Sequence, residues 1–252
     1  MFKNHNSKPA GNVAWLCLIL LTLLLSFGLS WLMLLPLDFA YQWFYGVIEI
    51  DQHIAQFGPE NYIKNSFELT TQAERFDLFS AIVTAIHHQG VGLDELVYHN
   101  AEGMPIATLL THEEVVHLQD VAILLEQIKV LLIISVVLFV GLLSCIYRSN
   151  QLIPTFSSML FTVLVFLVLV IALVFIIGPY DVFYKLHVWA FPAEHKWFFY
   201  YEESLMSTMM KAPDLFGYIA VLLLAIALPV FVLIMWLIRR IILLKNNQGL
   251  AR

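Results

Sequence analysis

Four long apolar runs limit what this chain can fold into. A helix needs roughly 20 consecutive, mostly apolar residues to cross the hydrocarbon of a bilayer. Runs of that kind occupy 13–35, a stretch within 121–147 that is free of charge only after Lys129, 156–177 and 217–238. Only 13% of the residues are charged, against about 25% in a soluble domain. In lipid every backbone polar group must be satisfied within the protein, and a helix does this alone. The expected fold class is therefore an all-α polytopic membrane protein, a single integral membrane domain over 1–252, with four transmembrane helices at about 13–35, 125–147, 156–177 and 217–238. The first run is too long for the apolar part of a signal peptide, and no small-x-small cleavage site follows it. Leu16 precedes Cys17 where a lipobox needs a small residue. The run is expected to stay as a helix.

Charge sets the expected orientation. Lys3, Lys8, Arg148, Arg239, Arg240, Lys245 and Arg252 fall on one side of the four runs, with no Asp or Glu among the residues of that side. Residues 36–120 carry only Lys64 and Arg75 against thirteen acidic groups. The positive-inside rule then places both termini in the cytoplasm. Segments 36–120 and 178–216 lie outside as a helical extracytoplasmic cap. Because topology accounts for the basic residues, nucleic-acid binding has no support. Cys17 and Cys145 sit toward the reducing side, so no disulfide is expected.

The first outer segment begins with an aromatic stretch in which Tyr41, Trp43 and Tyr45 suit the headgroup belt. Residues 71–88 read as a helix. Thr71 and Glu74 fit a capping box, and Phe76, Phe79, Ile82, Val83 and Ile86 form an apolar stripe. His87 and His88 fall in its last turn, where the helix dipole favours a protonated imidazole, and they read as structural. A loop over 90–107 follows. Thr111 and Glu114 fit a second capping box, opening a helix that runs unbroken into the second span. Glu126 and Lys129, three apart, are expected to pair near the outer interface.

The stretch THEEVVHLQDV at 111–121 concentrates titratable groups at the mouth of that span. Glu114, His117 and Asp120 share one helix face. His112 and His117 are about 140° apart around the helix, so they do not hold one zinc as His-Glu-x-x-His does. Two readings are open. Glu114 or Asp120 orients His117, which then moves a proton, or the group is a solvated helix start whose acids sit well at the positive dipole end. The second outer segment bears on the choice. Pro192 interrupts it, so one long helix is not expected. His187 lies in an aromatic stretch just after the third span, at the membrane level expected for His117. Ionisable groups at that depth suggest a function, although contact with headgroups is the alternative. His112 is expected to face solvent and His195 to be peripheral.

These two blocks carry a resemblance. Glu114-x-x-His117-Leu118-x-Asp120-Val121 resembles the Glu-x-x-His-Met-x-Asp-Val pattern of Lit, the bacterial lipoprotein intramolecular transacylase family of integral membrane proteins. Phe183-x-x-x-His187-x-x-x-Phe191-Pro192, followed by Trp197 and Phe199, is similar to that family's second block. The chain departs at Leu118, where the family often has methionine, and across 193–196, where glycine and asparagine are missing.

The resemblance implies an acyltransferase acting within one molecule. The sn-2 acyl chain of a diacylglyceryl lipoprotein moves to the α-amine of its N-terminal cysteine, leaving a lyso-form lipoprotein. It implies His117 and His187 as the catalytic acid–base pair, assisted by Glu114 and Asp120. Phe183, Phe191, Trp197 and Phe199 would line the substrate at the outer leaflet. The chemistry suits these groups, since an α-amine with a pKa of about 8 is within reach of histidine. No metal or other cofactor is expected. The expected partners are the lipoprotein and membrane lipid, and the expected state is a monomer. Two rival classes are a nonenzymatic membrane scaffold or assembly factor, and a membrane metalloenzyme using His112, His117, His187 and His195. A transporter finds little support, because Glu126 and Lys129 are the only charges within the spans.

Overall fold

A computed structural model of the chain describes residues 9–149 and 152–250. Lys3, Lys8 and Arg252, on which part of the charge asymmetry rests, lie outside them. The chain is largely helical, with α1 (Pro9–Leu34), α2 (Tyr41–Val47), α3 (Ile50–Phe57), α4 (Gln72–His87), α5 (His112–Arg148), α6 (Phe156–Ile177), α7 (Pro179–Ala190), α8 (Leu205–Met210) and α9 (Asp214–Leu250). Four stretches are long and apolar enough to cross a membrane: Asn12–Val47, His112–Arg148, Phe156–Ile177 and Asp214–Asn246. The fold expected from hydropathy is thus present. It also contains a small hairpin: in the stretch expected to be a loop, β1 (Val97–His99) pairs antiparallel with β2 (Pro105–Thr108), with an irregularity between Tyr98 and His99. Strands this short carry too little alternation to be legible in sequence.

The residues form two compact units. One takes the described residues up to Ser30, Val130–Pro179 and those from Leu223; the other takes Trp31–Lys129 and Tyr180–Leu222. In the first unit, α1, α5, α6 and α9 bury Trp15, Leu18, Ile19, Leu23, Ile146, Met159, Val163, Phe231 and Met235 in one core. Much of the remaining apolar surface stays bare, including Phe175 at 72% and Ile176 at 82% exposed. Water does not tolerate such a surface on this scale, whereas lipid does. The buried hydroxyls of Thr22, Ser26 and Ser30 each donate to the carbonyl four residues back, at 2.7 Å, so this polar stripe satisfies itself within α1. Thr155 caps α6 by accepting from the Ser158 N–H. Gly178, at φ 99°, ends the helix in a conformation that other residues rarely adopt.

The second unit is built around buried polar anchors. Tyr41 and Tyr45, expected at the headgroup belt, are in its core, and only Trp43 faces outward, at 63% exposed. Their hydroxyls explain the difference. Tyr41 donates to the Met209 carbonyl at 2.8 Å and stacks on Phe79 with ring centroids 3.9 Å apart. Tyr45 donates to Asp51 and accepts from Arg75 at 2.6 Å. Arg75 is itself buried and also donates to Asp51, Thr70 and the Glu68 carbonyl. A tyrosine with a satisfied hydroxyl is a good core residue.

Thr71 caps α4 by accepting from the Glu74 N–H, but the box is only half formed, because the Glu74 carboxylate binds the backbone N–H and Nδ1 of His99 instead. His87 is structural, as expected, but not through a positive charge. Its Nδ1–H donates to the Val83 carbonyl and its Nε2 accepts from the Trp31 indole N–H at 3.0 Å. That arrangement needs a neutral ring, and burial holds the His87 pKa below the ordinary value. Lys129 pairs with Glu126 at 2.6 Å and also donates to the His87 carbonyl.

His53 is a further buried imidazole. It packs between Phe57 and Tyr201, and its Nε2 has no hydrogen-bond partner among the described residues. Burial pushes its pKa down to about 4, with the Lys211 ammonium lowering it further and Asp214 opposing. The unfolded chain, with a histidine pKa of about 6.5, therefore binds the proton more readily than the folded one. Stability should be full above pH 6.5 and should fall as the pH drops toward 4. Thermal melts of detergent-solubilised protein across that window should show the loss. His53→Phe, which keeps the ring packing and removes this titration, should lessen it and leave the part that His87 contributes.

Candidate active site

The site begins at the N-terminus of α5. The capping box is complete there: the Thr111 hydroxyl accepts from the Glu114 N–H, and the Glu114 carboxylate accepts from the Thr111 N–H at 2.6 Å. This fixes the first turn and sends Val115 and Leu118 into the core. His117 and Asp120 then lie on the face next to them, one turn apart. The Nδ1 atom of His117 is buried and has no hydrogen-bond partner among the described residues. A buried imidazole nitrogen left unpaired is costly in a folded protein and calls for an explanation.

The second histidine comes from α7. Its Nδ1 lies 2.8 Å from the carbonyl of Phe183, one turn earlier. A carbonyl only accepts, so Nδ1 carries the hydrogen and the neutral ring keeps its lone pair on Nε2. The helix stops at Ala190, just before Pro192, and the chain folds back without regular structure toward Ser204. This return brings the two histidines to one place. The Phe191 ring centroid lies 5.0 Å from that of His117 and 5.4 Å from that of His187. Phe183 and Trp197 pack on His187 at 4.0 and 4.8 Å, and Phe199 lies 6.0 Å from His117. Phe199 is buried, while Phe183, Phe191 and Trp197 are half-buried. All four aromatic residues singled out in the sequence therefore surround the two imidazoles.

The carboxylates are used differently from the expectation. Glu114, expected to face the site beside His117, is 1% exposed. It is turned into the protein, where it accepts from the hydroxyl of Ser204 at 2.5 Å. Ser204 is fully buried and caps α8 by accepting from the Ser207 N–H. Glu114 thus ties the start of α5 to the start of α8. Asp120 does not hydrogen-bond His117 either. Its Oδ2 accepts from Nδ1 of His195 at 2.7 Å. His195, expected to be peripheral, is joined to the histidine face of α5. Nothing in the sequence pairs residues 75 positions apart, and the turn after Pro192 that brings them together has no periodicity to read.

His112 is exposed, as expected, and stands apart from these contacts. Among the described residues, no three or more His, Cys, Asp or Glu side chains gather as a metal-binding group. What the arrangement offers is proton transfer. One imidazole has its base nitrogen defined by a backbone carbonyl, and a second has an unpaired buried nitrogen. A third is backed by a carboxylate, and aromatic rings surround the first two. No cysteine takes part, since Cys17 and Cys145 belong to the other unit.

No curated protein and no solved structure matches the chain. A family model described as "Lipoprotein intramolecular transacylase Lit" matches residues 12–216. That range takes in the first three apolar runs, both histidine blocks and the turn that carries His195, so the chain belongs to the lipoprotein intramolecular transacylase family Lit.

Proposed function

We propose that this chain moves the sn-2 acyl chain of a diacylglyceryl lipoprotein onto the α-amine of the lipoprotein's N-terminal cysteine, with His187 as the proton carrier and His117 as the oxyanion donor. Family membership makes the chain an acyltransferase of the multi-pass inner-membrane class. The observation that carries the residue roles is the meeting of His117 and His187 around Phe191. His187 accepts a proton on Nε2 as the amine attacks the ester carbonyl. It returns that proton to the glycerol oxygen as the C–O bond breaks. A ring N–H of His117 donates to the oxygen that becomes negative in the tetrahedral intermediate. Donor and acceptor belong to one molecule, so holding them together supplies much of the rate. No covalent enzyme intermediate is needed.

Phe183, Phe191, Trp197 and Phe199 serve as the wall against which the acyl chain lies. Asp120 acts from its place one turn after His117, and Glu114 contributes only by holding the first turn of α5. The four spans form one integral membrane domain, working as a monomer among membrane lipids. The termini face the cytoplasm, and the histidines lie at the outer leaflet. Their charge pattern supports this orientation, because Arg148, Arg239, Arg240 and Lys245 cluster at one end of the spans. Reporter fusions at residues 60 and 200 should both read as extracytoplasmic, and a cytoplasmic reading of either would reject it. The reaction itself is tested by mass spectrometry of a model lipoprotein's N-terminal peptide after co-expression. The expected product keeps both acyl chains, one on nitrogen and one on the glyceryl group. Unchanged diacylglyceryl peptide in the presence of correctly inserted protein would overturn the proposal.

A further inference from the structure

The acyl shift sets two separate proton tasks. An α-amine with a pKa of about 8 is mostly an ammonium ion at pH 7. It must first lose one proton to expose its lone pair. The neutral amine then attacks the ester carbonyl carbon and a C–N bond forms. The C–O bond to glycerol breaks, its electron pair stays on the glycerol oxygen, and that oxygen takes the second proton from nitrogen. Ammonium plus ester thus gives amide, alcohol and one free proton. His187 can carry the internal transfer from nitrogen to oxygen and end where it began. The free proton needs another acceptor, one in contact with water.

His195 has the attributes of that acceptor. Its Nδ1–H donates to the Asp120 carboxylate at 2.7 Å, which fixes the tautomer and leaves Nε2 as the base. Its side chain is 36% exposed, whereas that of Asp120 is 12% exposed. The carboxylate therefore sits behind the ring, away from water, while the ring edge is open to it. Asp120 also lies one turn after His117 on the same face of α5, so the pair stands beside His117. The other charged groups of this turn are Glu194 and Lys196, and Lys196 is engaged with Glu203 at 2.7 Å. We propose that His195, backed by Asp120, takes the proton that the lipoprotein's α-ammonium must lose and passes it to water. The proposal rests on the transacylase reading given above and adds a third proton-handling residue to it.

His195→Asn separates this role from a structural one. Asparagine keeps an N–H donor near the position of Nδ1, so the link to Asp120 survives while the base nitrogen is lost. With that exit closed a bound ammonium keeps its proton. The native protein turns over both forms, committing each deprotonated amine to attack before the proton returns, whereas the variant uses only amine that arrives neutral. For an amine pKa of about 8 that is about a tenth of the substrate at pH 7 and about nine-tenths at pH 9. Turnover of a synthetic diacylglyceryl lipopeptide by purified protein in detergent, measured above the protein-free background, should fall about tenfold in His195→Asn at pH 7. The deficit should shrink to less than about twofold at pH 9, and His195→Ala should behave alike. Native-like turnover of His195→Asn at pH 7 would reduce the contact to a structural tie and overturn the proposal. So would a deficit of equal size at both pH values. His187→Ala, inactive at both pH values, is the control for the underlying reading. Product formed undiminished by His187→Ala would overturn that reading while leaving the His195 comparison intact, and no product from the native protein would overturn both.

Discussion

His187→Ala should lower transacylation by about 10²–10⁴-fold, the usual contribution of a positioned general acid–base group. The expectation follows from the Phe183 carbonyl, which fixes the hydrogen on Nδ1 and leaves Nε2 alone to take the proton from nitrogen. His187→Gln should not rescue it, because an amide cannot cycle a proton in this range. His117→Ala should cost about 10²–10³-fold, the loss that follows removal of one oxyanion donor. Here His117→Gln should recover part of the activity by supplying an amide N–H in place of the ring's. The two substitution series thus distinguish a proton carrier from a fixed donor. Mass-spectrometric counting of N-acylated against diacylglyceryl peptide over time gives the rates. Equal rescue at both positions would reject the division of roles, and native rates for either alanine variant would remove that residue from the mechanism.

The parts of this molecule that were legible in its sequence are those set by solvent. Four apolar runs of sufficient length leave the backbone only one economical conformation in lipid, so the spans were readable from hydropathy. The caps at Thr71, Thr111 and Thr155 use local hydrogen bonds, and the first two could be read from spacing. The histidines were legible as a suspicion, because each lies next to the end of an apolar run. What was not legible depends on long-range hydrogen bonds. Tyr41 and Tyr45 look like belt residues until Met209, Asp51 and Arg75 are seen to satisfy their hydroxyls. His195 looks peripheral until the turn after Pro192 sets it against Asp120. Glu114 looks like a partner for His117 because spacing on a helix records a shared face only coarsely. It cannot tell which of two adjacent faces meets α8.

Glu114 provides the sharpest contrast between those two kinds of reading. Its carboxylate closes the cap of α5 through the Thr111 N–H and meets the Ser204 hydroxyl, while Ser204 in turn caps α8. Glu114→Ala would remove both contacts at once and leave a part-buried N–H and a buried hydroxyl without their acceptor. A donor left without its acceptor costs about 1–3 kcal/mol and a lost helix cap typically about 1 kcal/mol, so a loss on the order of 3 kcal/mol is expected. A loss of that size would show as a large drop in melting temperature and in the amount of protein recovered from membranes, with activity falling in step. Glu114→Gln has the same shape, and its amide oxygen can still accept from Thr111 while its NH₂ donates to the Ser204 oxygen. It should stay folded and retain most turnover. A proton-transfer role would give the opposite pattern, a folded Glu114→Gln protein with turnover lowered by the same 10²-fold or more expected of a general acid–base group. Measuring melting temperature and turnover on both variants therefore decides whether Glu114 is a buried anchor or part of the chemistry.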